Sequence, residues 1–206
     1  AGSYTPTVTV TDAAGNGTTI TLTTFVIDTT SPSAFQTTTV ASTGGTEVST
    51  YYNSTNTAVS VTTPIANDAT LVGGSLKIQA KVGNGDYDDV GSAATISSAN
   101  TTQVISLSAS DVEGLANFAE QAVLTFRSVI TDTAGNSTTG TASGTTLTVD
   151  QVVPTVTEVT AVSTPGNDNT PTVELGSSEV GSISSTLAID LTSVQANNSN
   201  SATFDA

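Results

Sequence analysis

Apolar and polar residues alternate with a period of two along most of this chain, as in β-strands that bury one face. Between Ser75 and Val82, for example, Leu76, Ile78 and Ala80 share one face with Val82, while two lysines and a glutamine share the other. Thr, Val, Ser and Gly dominate the composition, and the helix-favouring residues Lys, Arg and Met are scarce or absent. The sequence therefore predicts an all-β fold.

The same alternation predicts seven short strands between residues 31 and 150, with turn signals between them. This number and spacing of strands is typical of a Greek-key β-sandwich of immunoglobulin type. The predicted strands are Gln36–Ala41, Ala58–Thr63, Ser75–Val82, Asp89–Ile96, Gln103–Leu107, Ala122–Thr131 and Gly144–Val149.

A sequence motif that occurs twice indicates where the chain divides into domains. VTVTDAAGNGTT at Val8–Thr19 returns as SVITDTAGNSTT at Ser128–Thr139, 120 residues later (position 8 to position 128). Self-similarity at such a distance is typical of an array built from copies of one unit. We predict tandem immunoglobulin-like sandwiches, one complete and two partial: residues 1–30 are the C-terminal strands of a first domain, 31–150 a complete domain, and 151–206 the N-terminal part of a further domain.

The two partial domains carry their own strand predictions. Tyr4–Thr11 and Thr18–Ile27 form a hairpin around the Gly15 turn, and an isolated hairpin is marginal in water. The later part is expected to hold strands at Pro154–Ala161 and Thr170–Leu175, and further strands around Ser184–Leu191. We expect the chain to be a mature or excised segment of a longer protein.

Charge narrows the choice of partners. Asp and Glu total 18 against three basic residues, and the formal net charge of −15 repels nucleic acid and anionic membranes. Such an excess of carboxylates is commonly neutralised outside cells by calcium, which we take as the expected cofactor. Because the chain has no His and no Cys, nucleophilic catalysis finds little support, and we expect no enzyme activity.

Three features resemble a known family. They are the TDAAGN turn before a terminal strand, the Asp-x-x-x-Pro junctions at Asp28–Pro32 and Asp150–Pro154, and GNDNTPTVELGSSEVGS at Gly166–Ser182. Together they resemble the bacterial immunoglobulin-like repeats of giant surface adhesins, such as the extender repeats of RTX-type adhesins. The resemblance implies an extracellular, cell-surface location, a spacer role, neighbouring immunoglobulin-like domains as partners, and calcium at the domain junctions.

The first candidate metal site lies at the earlier junction. In an immunoglobulin-type sandwich the turn between the last two strands should lie near the linker that enters the domain. Asp28, Asp132 and Asn136 could then supply oxygen ligands to calcium together with linker carbonyls. The alternative is that Asp132 only caps its own turn and that Asn136 takes a left-handed conformation.

A second candidate site lies at the later junction. Asp150 should approach Asn53 and the connection that contains Asp111, Glu113 and Glu120. We therefore name Asp150, with Asp111 or Glu113, as the second possible set of calcium ligands.

The leading functional hypothesis is a spacer segment of a large bacterial surface protein, stiffened by calcium at its junctions. One alternative is a self-assembling extracellular filament, in which a partial domain of one copy is completed by strands from the next. Another is a glycan-binding module, for which Tyr51, Tyr52 and Tyr87 are the candidate contacts.

Overall fold

A computed structural model describes residues 1–162, 166–186 and 188–204, and it confirms the all-β prediction. Its helical elements are a 3₁₀ turn at Ala69–Leu71 and one short helix, α1, at Ala109–Glu113. The strands are β1 Gly2–Tyr4, β2 Thr7–Thr11, β3 Gly17–Thr21, β4 Phe25–Ile27, β5 Thr39–Thr43, β6 Tyr51–Asn53, β7 Ala58–Ile65, β8 Ser75–Val82, β9 Asp88–Thr95, β10 Thr101–Ser108, β11 Val123–Thr131, β12 Ser137–Thr139, β13 Leu147–Asp150, β14 Val156–Thr160, β15 Thr172–Ser177, β16 Gly181–Ser182, β17 Ser193–Val194 and β18 Ser199–Thr203. Two compact units share the chain, Ala1–Gln151 and Val152–Ala206.

The first unit contains two sheets that enclose one hydrophobic core. A three-stranded sheet has the order β10-β7-β5, and a six-stranded sheet has the order β6-β13-β11-β8-β9 with β12 paired to β11. Val59 and Val61 on the small sheet and Leu76, Ile78 and Phe126 on the large one are fully buried members of the same core. Burial of these side chains is the main favourable contribution to folding of this unit.

The alternating pattern placed strand β8 and its faces correctly. β8 spans Ser75–Val82 as predicted, and Leu76, Ile78 and Ala80 are completely buried. Lys77 points away from the core, where its Nζ donates to the carbonyl of Gly91 at 2.8 Å. Val82 is only half-buried, because it lies at the end of the strand.

Helix α1 and strand β6 are among the short elements that the sequence analysis did not predict. Helix α1 begins with a capping box, in which the Ser108 hydroxyl accepts from the Asp111 amide while the Asp111 carboxylate accepts from the Ser108 amide. Its signal, a Ser three residues before an Asp, is present in the sequence. Strand β6 is only three residues long, too short for a period of two to be recognised, and it is held by parallel pairing with the distant β13.

The N-terminal hairpin, residues 2–27, is a long two-stranded ribbon interrupted near Pro6. β2 pairs with β3 and β1 pairs with β4, and the amide of Leu22 donates to the carbonyl of Pro6 between the two ladders. The predicted strands are confirmed with this interruption. Apart from the half-buried Gly2 and Pro6, residues 1–27 are exposed on both faces of the ribbon.

The second unit contains a three-stranded sheet, β14-β15-β18, and the small pair β16-β17. Its buried residues include Val173, Val194 and Ala202. The further strands expected around Ser184–Leu191 are absent from the described part of that range, which excludes Leu187; Ile189 forms only an isolated bridge with Phe204. β18 takes the position beside β15 instead.

Candidate junction site

The turn from Asp132 to Asn136 is closed by the Asp132 carboxylate. Oδ1 accepts from the amides of Ala134 and Asn136 at 2.8 and 2.9 Å, and Oδ2 accepts from Asn136 Nδ2 at 2.9 Å. Gly135 has a φ of +94°, a conformation that glycine adopts without steric cost. Aspartate followed by Gly-Asn at this spacing therefore specifies the turn locally.

Asp132 is 4% exposed, and these hydrogen bonds also determine its charge state. The side-chain hydrogen bond from Asn136 is the largest influence and holds the pKa of the Asp132 carboxyl below its usual value of 3.8. Burial acts in the opposite direction, and the turn amides reinforce the lowering. The carboxylate is therefore charged wherever the turn is formed near neutral pH.

Asn136 extends this turn to the linker that follows the N-terminal hairpin. Its Nδ2 donates to the backbone carbonyl of Asp28 at 3.1 Å. Two residues further, Thr138 Oγ1 donates to the carbonyl of Pro32 at 2.6 Å. The structure thus brings Asp28, Asp132 and Asn136 together, and it adds Thr138, which the sequence analysis did not select although the phrase containing it is repeated.

The polar side chains at this junction are engaged in hydrogen bonds with one another and with the backbone. Both carboxylate oxygens of Asp132 accept hydrogen bonds within the turn, and it is the amide nitrogen of Asn136 that faces Asp28. One carboxylate oxygen of Asp28 accepts from the Thr30 amide at 3.0 Å. Among the described residues there is no group of three or more Asp, Glu, His or Cys side chains suited to a metal.

At the other end of the first unit, two glutamates contact Gln151. Glu113 Oε1 accepts from the side-chain Nε2 of Gln151 at 3.1 Å, and Glu120 Oε2 accepts from the backbone amide of Gln151 at 2.8 Å. Asp150 pairs with Asn53 across the β13–β6 ladder. Asp111 is separately engaged in the capping box of α1, where hydrogen bonds from Ser108 lower its pKa.

Glu113 also joins this end to the core. The hydroxyl of Tyr52, a residue with no exposed surface, donates to Glu113 Oε1 at 3.2 Å. Burial first, and then the charge of Glu113, raise the pKa of Tyr52 to about 12. Gln151 was not selected from the sequence, since a single glutamine after a strand carries no signal of its own.

The three tyrosines proposed for glycan binding lie in different environments. Tyr52 is buried and Tyr51 is 41% exposed. The Tyr87 ring is covered by two cations, with Arg127 Cζ 3.9 Å and Lys81 Nζ 5.3 Å from the ring centroid. Tyr87 therefore contributes cation–π contacts to the surface of the large sheet.

The N-terminal hairpin repeats the geometry of the β11–β12–β13 region. Asp12 accepts from the amides of Ala14 and Asn16 and from Asn16 Nδ2 at 2.8–2.9 Å, which are the contacts that Asp132 makes. The strand registers also coincide after a shift of 120 residues, or 122 for β4 and β13. The matching pairs are Thr9–Thr19 with Val129–Thr139, Val10–Thr18 with Ile130–Thr138, Thr11–Gly17 with Thr131–Ser137, Ser3–Val26 with Val123–Thr148, and Tyr4–Phe25 with Leu124–Leu147.

No protein-family model, curated protein or solved structure matches this chain. In the described residues, no helix has the length and apolar character needed to cross a membrane.

Proposed function

We propose that this chain is a spacer segment of a large extracellular bacterial surface protein, built from tandem immunoglobulin-like sandwiches. The observation that carries the proposal is the hairpin at residues 2–27, which has the strand register and the turn contacts of the hairpin that closes residues 31–151. Duplication of a closing hairpin is what a tandem array of one domain type requires.

Fixed linkers support a spacing role. Asn136 and Thr138 donate to the linker that follows the N-terminal hairpin, and Glu113 and Glu120 accept from Gln151 at the end of the first unit. Each contact removes freedom from a segment that would otherwise act as a flexible connection. A spacer of this kind holds its neighbours at a defined distance, and direct hydrogen bonds stabilise its first junction.

An extracellular environment is consistent with the charge. A net charge of −15 with three basic residues favours solubility and makes copies of the chain repel one another at low ionic strength. Calcium remains a prediction from composition and family resemblance, and the hydrogen-bonded junction can stiffen the linker without it.

Distance measurements between two spin labels test the proposal. Since the chain has no cysteine, Ala13→Cys in the hairpin turn and Thr102→Cys on exposed β10 provide unique labelling sites. We expect one narrow distance distribution that broadens when Asn136→Ala and Thr138→Val are added. A broad distribution in the otherwise unmodified protein would show a flexible tether and would refute the spacer role.

Measurements on the same labelled protein distinguish stiffening of the junction by hydrogen bonds from stiffening by bound calcium. If hydrogen bonds are sufficient, the distribution is the same in excess chelator and in millimolar calcium, the range in which extracellular modules bind the ion. A distribution that narrows only when calcium is added would establish a metal-dependent junction.

A further inference from the structure

Strand β10, Thr101–Ser108, is an outer strand of the small sheet. In the order β10-β7-β5 it pairs with β7 along all eight of its residues, and no other strand of the described chain lies on its other side. An outer strand presents a row of backbone N–H and C=O groups with which a further strand can pair. β10 is therefore a place where this sheet can be extended.

The hydrogen-bond ladder shows which backbone groups of β10 face outward. The amide of Ala109 donates to the carbonyl of Thr57, and this pair directly follows the last pair of the β10–β7 register. Because hydrogen-bonded and non-hydrogen-bonded pairs alternate in an antiparallel ladder, every second residue counted back from Ala109 bonds to β7. The residues between them, Thr102, Val104 and Ser106, therefore direct both N–H and C=O away from β7.

The same three residues are open to solvent. Thr102, Val104 and Ser106 are all exposed, and the exposed fraction of Val104 is 57%. Ser108 continues the outward series, but its amide already donates to the Asp111 carboxylate at 2.9 Å. The part of the edge that is free to pair therefore ends where helix α1 begins.

The devices that usually protect a sheet edge are absent from β10. Such edges are commonly made unsuitable for pairing by charged residues, by proline, by a β-bulge or by a very short strand. β9, the outer strand of the large sheet, has two of these devices, since it begins with Asp88 and Asp89 and its pairing with β8 contains a register shift. β10 reads TTQVISLS, without charge or proline, and its eight pairs with β7 are regular.

The sheet beside this edge is also free of charge. None of the chain's 18 acidic and three basic residues lies on β5, β7 or β10. Two copies of a chain with a net charge of −15 repel each other, and they approach most easily where neither presents a charged side chain. The occupant that best fits this neutral edge is the identical edge of a second copy.

We propose that β10 of one copy of this chain pairs antiparallel with β10 of a second copy, about a two-fold axis at Val104. In this register Val104 pairs with Val104 of the second copy, and Thr102 pairs with Ser106 of the second copy. The outward N–H and C=O groups of all three residues are then hydrogen-bonded, and the two small sheets become one sheet of six strands. The contact uses the same surface on both copies, so it closes at a dimer.

This inference goes beyond a spacer role, because it gives the segment a lateral contact with its own copies. Salt sets the conditions under which the dimer forms. Repulsion between the two negatively charged copies is screened by salt, while the pairing groups themselves are neutral. Dimerisation is therefore expected to strengthen between about 0.01 M and 0.5 M ionic strength.

Amide hydrogen exchange in the full chain tests the contact at single residues. The amides of Thr102, Val104 and Ser106 should exchange more slowly as the protein concentration rises from about 10 μM to about 1 mM, because pairing protects them. The amides of Gln103 and Ile105 belong to the β7 ladder and should not change. Exchange at the three outward amides that is independent of concentration overturns the proposal, as does equal slowing at Gln103 and Ile105.

Two lysine substitutions test the contact by sedimentation velocity. Val104→Lys places like charges opposite each other at the two-fold axis and is expected to weaken the dimer by about tenfold or more. Thr39→Lys is the matched control, because Thr39 is exposed on the far strand β5 in the same row, joined to Val104 through Thr62. The control should retain the dimer. An unmodified chain that stays monomeric up to about 1 mM, or equal effects of the two substitutions, refutes the proposal.

Disulfide formation between two differently substituted full-length chains tests the register, since the chain has no cysteine of its own. Opposite residues of a hydrogen-bonded pair have Cα atoms about 5.5 Å apart, a distance that a disulfide spans. Mild oxidation should therefore join a Thr102→Cys chain to a Ser106→Cys chain. Two Thr102→Cys chains should not be joined, because their cysteines lie about four residues, or roughly 14 Å, apart along the pair of strands.

Each result of the oxidation decides the proposal. Preferential formation of the mixed disulfide supports it. Equal amounts of mixed and unmixed disulfides would show random collision, a predominance of unmixed disulfides would show another register, and absence of any disulfide would show that the two strands do not meet; each of these overturns it.

Discussion

The hydrogen bond from Thr138 to the linker can be removed with little other change. Thr138→Val keeps the shape of the side chain but removes the hydroxyl that donates to the carbonyl of Pro32 at 2.6 Å. A neutral hydrogen bond contributes about 0.5–1.5 kcal/mol net. The population in which the linker is released should therefore rise by about 2- to 12-fold.

Amide hydrogen exchange measures this population directly. The amide of Thr141 donates to the carbonyl of Phe35 in the segment that follows the linker, so its exchange reports release of this segment. The amide of Gly140 donates instead to Ser128 on β11 and serves as an internal reference. We expect faster exchange at Thr141 and no change at Gly140. Adding Asn136→Ala should increase the Thr141 rate further.

A matched variant controls for any effect on exchange that comes from replacing a threonine by valine in general. Thr18 occupies the position of Thr138 in the N-terminal hairpin, pairing with Val10 as Thr138 pairs with Ile130. Thr18→Val should leave exchange at Thr141 unchanged. If Thr138→Val has no effect on Thr141, or if it accelerates Gly140 equally, then Thr138 does not hold the linker and the reasoning fails.

Two further predictions concern the turn and the core. The folded-state pKa of Asp132 is lowered, so the ionised Asp132 stabilises the fold. This contribution to the free energy of unfolding is complete above pH 3.8 and is lost as the pH falls through the lower folded-state pKa. Asn136→Ala should move the Asp132 titration, followed by carboxyl carbon NMR, upward toward 3.8; an unchanged titration would contradict the assigned cause. Phe126→Ala, at a fully buried site, should lower the free energy of unfolding in urea by about 3–5 kcal/mol. Phe25→Ala, on the exposed hairpin, should change it by less than about 0.5 kcal/mol in dilute protein, and equal losses would contradict the assigned core.

Local patterns predicted most of the strands because each carries its own information. The alternation in β8 and β11 is imposed by one buried face, and the Asp132 turn is specified by a few neighbouring residues. The proximity of Asp28 and Asn136 was also anticipated, on the assumption of an immunoglobulin-type connection that places this turn beside the incoming linker.

The sequence left open which partner each polar group takes. Asp132 was either a calcium ligand or the cap of its own turn, and the structure shows it accepting hydrogen bonds within the turn, as Asp111 does in its helix cap. The contacts of Thr138 and Gln151 depend on which carbonyl or carboxylate lies opposite, and residue type does not encode that.

The segment that follows the N-terminal hairpin and its linker lies side by side with the segment that precedes β13. Gln36 pairs in parallel with Thr141, and the amides of Thr37 and Thr141 donate across this bridge to Thr141 and Phe35. Near the exit, β13 is held by parallel pairing with β6. Tension applied along the chain would load these bonds in shear, so that several must break together rather than one after another. These pairings would therefore resist stretching more strongly than strands whose hydrogen bonds are loaded one at a time.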